Sequence, residues 1–246
     1  MKKGYKLNKI NSYSYLTFSF LDKFDFLFHG FTLKNKIDEK TVLQKILREK
    51  GFSSFPVISL NQLHSDKVIL FSQKKELTKK FSGDAILTKQ PNLVLTVSVA
   101  DCVPIFLVNP KEKIVGLIHS GWKGSLLNIV SEALKYAKEG WNAHAKDFFA
   151  LLAPSIQNCC YEIGKEMAIL FDEKFINNSS KNNSKLDLPG LNITQLLKAG
   201  VKRKNIFQIR DCTCCKNQIF YSYRKERENA GRMMAFIGMI KKTVKT

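Results

Sequence analysis

Nowhere in this 246-residue chain does an apolar run approach the roughly 18–20 residues that a membrane span requires. Lys2 and Lys3 are not followed by an apolar stretch of about 7–15 residues, so the basic start does not read as a signal peptide and a cytoplasmic protein is expected. Arginine is scarce: 34 of the 40 cationic residues are lysine and 6 are arginine. With 21 acidic residues the net charge is +19, which at first suggests a polyanionic partner. Groove reading and bidentate phosphate recognition favour arginine, however, and the lysines are scattered from Lys2 to Lys245. A solvated lysine-rich surface is therefore the expectation, with no membrane partner and with a nucleic-acid partner only as the alternative reading. The six cysteines (102, 159, 160, 212, 214 and 215) lack a disulfide framework, because adjacent pairs such as Cys159-Cys160 are poor geometric candidates. The CTCC run also lacks a double C-x2-C pattern, so packed, reduced thiols are expected there rather than structural zinc.

What is present is the composition of a folded globular protein, 44% hydrophobic, 25% charged and 11% aromatic, which excludes a disordered, collagen-like or disulfide-stapled chain. A chain this long removes roughly 70–75% of its unfolded surface from water, so it needs no metal to hold a core. No internal repeat is visible. The only low-complexity segment, FINNSSKNNSKLDLPG, reads as a surface loop, leaving one domain over 1–246. Aromatic, partly alternating residues before Gly30 predict edge strands. Val42, Leu43, Ile46 and Leu47 share one helical face within 38–51, and Gly51 stands at the expected stop. FPVISLNQLHSDKVILFS, GDAILT, NLVLTVSVADCVPIFLV and KIVGLIHSGW then read as successive β-rich stretches. A helix follows Trp122, with Leu126, Leu127, Val130, Ala133, Leu134 and Ala137 at core spacing; FFALLA reads as a strand and YEIGKEMAILFDEKF as a helix. Strands that follow one another without helices predict an α/β (α+β) fold with a mixed or antiparallel sheet.

Cys102 and His119 lie on two apolar strands joined by Asn109-Pro110-Lys111-Glu112, a turn-forming sequence. A hairpin centred between Pro110 and Lys111 puts them directly opposite, on one face, with Cβ atoms about 4.5–5.5 Å apart. His64 in NQLHSDKV is a third ligand candidate. One thiolate, two imidazoles and an open fourth position make a catalytic zinc site, with copper also compatible with these ligand types. The alternatives are a buried strand cysteine and hydrogen-bonded histidines. His29 and His144 read as solvated or locally hydrogen-bonded. Gly121-Trp122-Lys123-Gly124-Ser125 joins strand to helix, with Ser125 as a candidate N-cap and exposed N–H groups suited to an anion; an ordinary tight turn is the alternative.

NQLHSDKV, GDAILT, VADCVPIFLV, GLIHSGWKG, APSIQNCCYEIG and FYSYRKERENAGRMM resemble, in the same order, the signature segments of the YfiH family. Its members have been called laccase-domain or polyphenol-oxidase proteins and purine nucleoside phosphorylases. The resemblance runs from about residue 60 to 240 and implies His64, Cys102 and His119 as zinc ligands. It further implies a single sandwich with flanking helices, related in fold to toxin deamidases that use a Cys and His pair. The implied activity is phosphorolysis of adenosine, inosine, guanosine and S-methyl-5'-thioadenosine, with adenosine deamination as a further activity. Two segments depart from the family pattern. Gly30-Phe31-Thr32-Leu33-Lys34 lacks its Arg and paired glycines, and Lys123 replaces the more usual Arg.

Phosphorolysis needs an anion held against the ribose C1′ and a purine leaving group that accepts a proton. Lys123, Gly124, Ser125 and Arg224 are the candidate phosphate contacts. Cys102, His119 and Glu162 are the candidate catalytic residues, Glu162 as a proton carrier that could equally favour a helix start through the dipole. Asp101 should point away from Cys102 on a regular strand and serve a structural role. Three other functions are open to the sequence: a metal-free thiol hydrolase with Cys102 as nucleophile and His119 as base, a copper-dependent polyphenol oxidase, and a basic nucleic-acid-binding module. A monomer acting on small purine nucleosides and phosphate is the expectation.

Overall fold

The computed structural model describes residues 4–73, 77, 80–178 and 183–241. An N-terminal meander is formed by β1 (Tyr5–Ile10), β2 (Tyr13–Phe18) and β3 (Leu27–Thr32), and α1 (Glu39–Glu49) follows. Helix α1 starts where Asp38 accepts the Thr41 N–H at 2.9 Å, and ends at Gly51, whose φ of +76° suits glycine. Next come β4 (Val57–Asn61), β5 (Val68–Phe71), β6 (Phe81–Ser82), β7 (Ala85–Thr88), β8 (Val94–Val99), β9 (Val103–Asn109) and β10 (Ile114–Ser120). The helices α2 (Trp122–Leu126) and α3 (Ile129–Trp141) lead to β11 (Phe149–Leu152). The remainder comprises β12 (Glu162–Gly164), α4 (Lys165–Ala168), β13 (Ile176–Asn178), β14 (Asn183–Leu186), α5 (Leu188–Lys198), β15 (Ile206–Gln208), α6 (Tyr223–Glu226) and β16 (Met233–Met239).

Two mixed sheets stack face to face. One has seven strands in the order β1-β2-β3-β16-β8-β4-β6, and the other six in the order β15-β11-β9-β10-β7-β5. Most neighbours are antiparallel, but β4 pairs in parallel with β6 and β8, β5 with β7, and β11 with β15. The inter-sheet core includes Phe18, Phe31, Leu95, Val97, Phe106 and Leu117. Outside it, Val42, Leu43, Ile46 and Leu47 of α1 pack on Val94 and Phe236 of the seven-stranded sheet. On the opposite side, α3 and α5 cover the six-stranded sheet through Val130, Ala133, Leu134 and Leu196. The result is the expected mixed sandwich with flanking helices.

Four local expectations are corrected. NLVLTVSVADCVPIFLV is two strands in different sheets, because the chain turns at Asp101, where φ is +85°. The helix after Trp122 breaks at Asn128, which adopts a left-handed conformation with φ +59°. YEIGKEMAILFDEKF is not one helix: β12 opens it, α4 lasts four residues, and Ile169 is left 82% exposed. FINNSSKNNSKLDLPG is more than a loop, since β13 and β14 pair there and join β12 in a small third sheet; residues 179–182 of that segment lie outside the described ones.

Candidate active site

Three times in succession the chain steps from the seven-stranded sheet to the six-stranded one, from β4 to β5, β6 to β7 and β8 to β9. The three connections carry His64, Asp84 and Cys102, in that order. The fourth member, His119, lies near the end of β10 beside the last crossing. The β9–β10 register differs from the one expected: His119 pairs with Pro104 rather than Cys102. The cause is the turn. Its loop has four residues, with Asn109 Oδ1 accepting the Glu112 N–H at 3.0 Å and Lys113 left-handed at φ +49°. This moves the pairing by two residues, an even step that keeps both side chains on one face. Cys102 and His119 therefore still meet.

The donor atoms of His64, Cys102 and His119 all lie within 4.8 Å of one another. The two imidazoles stand edge to face, 4.8 Å between centroids and 86° apart. Gly121 makes room for them: a Cβ there would come 3.0 Å from Cys102 Sγ and 3.1 Å from His64 Cδ2. Asp84, fully buried, orders the group. Its carboxylate accepts the N–H of Leu63, His64 and Ser65 at 3.1, 3.0 and 2.8 Å, the Ser65 hydroxyl at 2.8 Å, and His119 Nδ1 at 2.8 Å. These bonds hold His64 at φ +55° and turn His119 so that Nε2, the nitrogen that would ligate, faces Cys102.

The electrostatics follow from this packing. Burial pushes the Asp84 carboxyl up, but hydrogen bonds from His119 and Ser65 outweigh it and bring it down to about 2. Burial likewise opposes the Cys102 thiolate, yet the charge and hydrogen bonds of His119 and His64 lower the thiol to about 6. Against its own desolvation, His119 is raised to about 9 by Cys102 and Asp84. Once a metal displaces the His119 proton, the donor set is one thiolate and two imidazoles, one of them backed by a carboxylate, which fits a zinc-type tetrahedral site with one position open. It does not supply a multinuclear copper set. His29 is buried, accepts the Phe18 N–H at 3.0 Å and is depressed to about 4 by that burial, whereas His144 is exposed.

A cavity of about 790 Å³ opens over this group. His64, Cys102 and His119 line it together with Trp122, Tyr161 and Glu162, and Lys40, Arg224, Arg227 and Arg232 line it as well. Three of the six arginines in the chain thus border one cavity. The size falls within the roughly 300–1,000 Å³ of small-molecule sites. Arg224 donates through Nη2 to the Glu162 carbonyl at 2.6 Å and lies over the Tyr161 ring. Asp101 fastens the floor, accepting from Thr213 Oγ1 and the Arg224 N–H, both at 2.6 Å.

Glu162 and Arg224 are therefore brought to the site, Glu162 as the first residue of a strand rather than of a helix. The other phosphate candidates are not. Lys123 is exposed, lies over the Trp122 ring and is absent from the cavity wall. Gly124 and Ser125 are buried; the Ser125 N–H bonds Gly121 O at 2.9 Å, and its hydroxyl joins Ser120 and Asn192. Gly121, not Ser125, is the N-cap. Sequence alone does not single out Asp84, Arg227 and Arg232, although the Asp of GDAILT and the arginines of YRKERENAGRMM stand inside the segments that carry the family resemblance.

The chain is 32% identical over 238 residues to a purine nucleoside phosphorylase of Clostridium acetobutylicum, an alignment covering 94% of this chain and 98% of that protein. Two crystal structures share the fold: YlmD from Geobacillus stearothermophilus, with TM-score 0.82, 23% identity and coverage of 96% and 99%, and YfiH from Bacillus licheniformis, with TM-score 0.81, 24% identity and coverage of 94% and 100%. The profile of the family described as multi-copper polyphenol oxidoreductase laccase matches residues 30–240. The chain belongs to that family, the one that includes the YfiH and YlmD proteins.

Proposed function

We propose that this protein is a zinc-dependent, cytoplasmic purine nucleoside phosphorylase. Its substrates are adenosine, inosine, guanosine and S-methyl-5'-thioadenosine, with adenosine deamination as a second activity. The observation that carries the reading is the single cavity that combines the His64, Cys102 and His119 donors with Arg224, Arg227 and Arg232. The name of the Clostridium relative, matched over nearly its whole length, supports the reaction class. A monomer suffices, because every group invoked comes from one chain.

The bound zinc would supply Lewis acidity and, for deamination, a water of lowered pKa. The chain's own residues do the rest. The arginines hold phosphate as a charge-assisted, bidentate partner in place of Lys123, so that a phosphate oxygen faces C1′. That oxygen forms the new bond to C1′ as the bond from C1′ to the purine breaks, and the electron pair leaves with the base. The leaving purine takes up a proton, for which Glu162 is the nearby carrier. Tyr161 and Trp122 offer ring faces to the flat base and shield it from water. Asp84 keeps His119 oriented throughout.

Adenosine incubated with the zinc-loaded protein should give adenine and ribose 1-phosphate only when phosphate is present, and inosine with ammonia more slowly in either case. Absence of all these products would refute the proposal. One observation keeps a second reading: the Cys102 thiolate beside a protonated, Asp84-backed His119 is also the arrangement of a thiol nucleophile. Hydrolytic activity that survives complete zinc removal would favour it.

A further inference from the structure

Five cysteines take no part in the site above, and four of them converge. The sulfur atoms of Cys159, Cys160, Cys212 and Cys215 all lie within 4.8 Å of one another. Cys160 and Cys215 are 3.3 Å apart, Cys159 and Cys215 3.6 Å, and Cys159 and Cys160 3.8 Å. All are free thiols, with no disulfide among them. Four sulfurs around zinc at Zn–S distances of about 2.3 Å stand about 3.8 Å apart along each tetrahedral edge, close to these separations.

The backbone explains why residues so distant in sequence meet. Residues 155 and 212 form a parallel bridge, continued by the Thr213 N–H to Ser155 O at 3.1 Å. A turn closed by the Cys160 and Tyr161 N–H groups on Gln157 O presents Cys159 and Cys160 on one side. Cys212 and Cys215 supply a C-x2-C pair. Burial opposes a charge on Cys212 Sγ, but the nearby backbone N–H groups of Cys215, Gln157 and Cys214 outweigh it and lower the thiol. That environment suits a ligating thiolate better than a packed thiol. Cys159 and Cys215 are exposed, which leaves an entry path for an ion. In sequence the pattern was hidden: one half of the donor set is a C-x2-C, and the other is an adjacent pair more than fifty residues away.

The geometry points to a second metal centre, a four-thiolate structural zinc site formed by Cys159, Cys160, Cys212 and Cys215. Loading displaces the thiol protons to solvent and leaves no open position for substrate, so the site holds structure rather than performing chemistry. It clamps the 155–162 segment to the 211–215 segment. Both segments bond Asp101, through the Ile156 N–H at 2.9 Å and Thr213 Oγ1 at 2.6 Å, and Asp101 directly precedes Cys102. Tyr161 and Glu162 reach the cavity from the same clamped segment.

The test counts metal and reads no activity, so its failure is separate from failure of the proposed reaction. Full-length protein purified under reducing conditions without chelator should carry about two equivalents of zinc. The Cys102→Ser/His119→Ala variant should keep one, Cys160→Ser/Cys215→Ser should lose one, and Cys214→Ser should lose none. Should the double cysteine variant fail to fold, cobalt substituted into the Cys102→Ser/His119→Ala protein decides the matter. An intense sulfur-to-cobalt charge-transfer band with tetrahedral d–d bands is expected. A metal-free Cys102→Ser/His119→Ala protein with no such cobalt spectrum would overturn the inference, as would disulfides among these four cysteines in the reduced preparation. Stoichiometric iron with its own thiolate absorption would overturn zinc as the occupant.

Discussion

Asp84 accepts a hydrogen bond from His119 Nδ1 at 2.8 Å through the same oxygen that takes the His64 N–H at 3.0 Å. One carboxylate therefore orients two of the three donors. Asp84→Asn keeps the size but brings an amide donor toward groups that are already donors. It should weaken zinc affinity by about 10–100-fold, measured by chelator competition, and cost about 2–3 kcal/mol of stability. The pH sign follows from the depressed carboxyl. Its stabilisation is complete above the ordinary value of 3.8 and is lost as pH falls through about 2. The acid limb of metal-free stability over that window should flatten in Asp84→Asn, and an unchanged limb would contradict the assigned role.

Cys102 should react as a thiolate once metal is removed. With its thiol lowered to about 6, alkylation by iodoacetamide should rise through pH 6 and level off, whereas an ordinary thiol continues to gain rate toward pH 9. Zinc should protect it. Mass mapping of the modified residue gives the answer, and a rate at Cys102 still climbing at pH 9 would refute the thiolate assignment.

Phosphate dependence separates Lys123 from the arginines. Replacing Arg232 or Arg227 by Ala should raise the phosphate KM about 10–100-fold, the loss expected for a charge-assisted hydrogen bond. Lys123→Ala should change it by less than about twofold, as expected of an exposed charge. Steady-state phosphorolysis at fixed adenosine measures both. A large Lys123 effect with none from the arginines would move the anion to the other side of the site.

Buried polar groups behind the site form a closed set, with Ser120 Oγ bonding Asn192 Oδ1 at 2.7 Å and Asn192 Nδ2 bonding Ser125 Oγ at 3.0 Å. Asn192→Ala takes one partner from each hydroxyl, leaving them their mutual bond at 2.8 Å, and removes a side-chain bond to the Leu188 carbonyl. A stability loss of about 1–3 kcal/mol is expected from chemical denaturation, with zinc content retained in the folded fraction. A neutral result would show that the hydroxyls find other partners.

The core faces were legible because burial imposes a period on sequence. Val42, Leu43, Ile46 and Leu47 are all buried, as their spacing predicts. The meeting of Cys102 and His119 was legible for a similar reason, since an even slip in hairpin register keeps both on one face. Local signals failed where distant contacts decide. Glu162 begins a strand because Lys185 of β14 pairs with it, although the apolar residues after it suggest a helix. Arg227 and Arg232 look like surface charges until β16 inserts between β3 and β8 and carries the preceding segment to the cavity. Asp84 gives no sign of burial in sequence; only the four N–H and O–H donors of residues 63–65 and the His119 ring account for it.

The placement of the donors at the sheet crossings has a mechanical consequence. His64 and Cys102 sit on separate passages between the two layers, and His119 belongs to one layer alone. An ion held by all three would act as a rivet through the sandwich, resisting any sliding of one sheet over the other. Metal loading should therefore slow amide exchange on both sides of the seam together, in β8 and in β10, instead of stiffening only the residues that touch the ion.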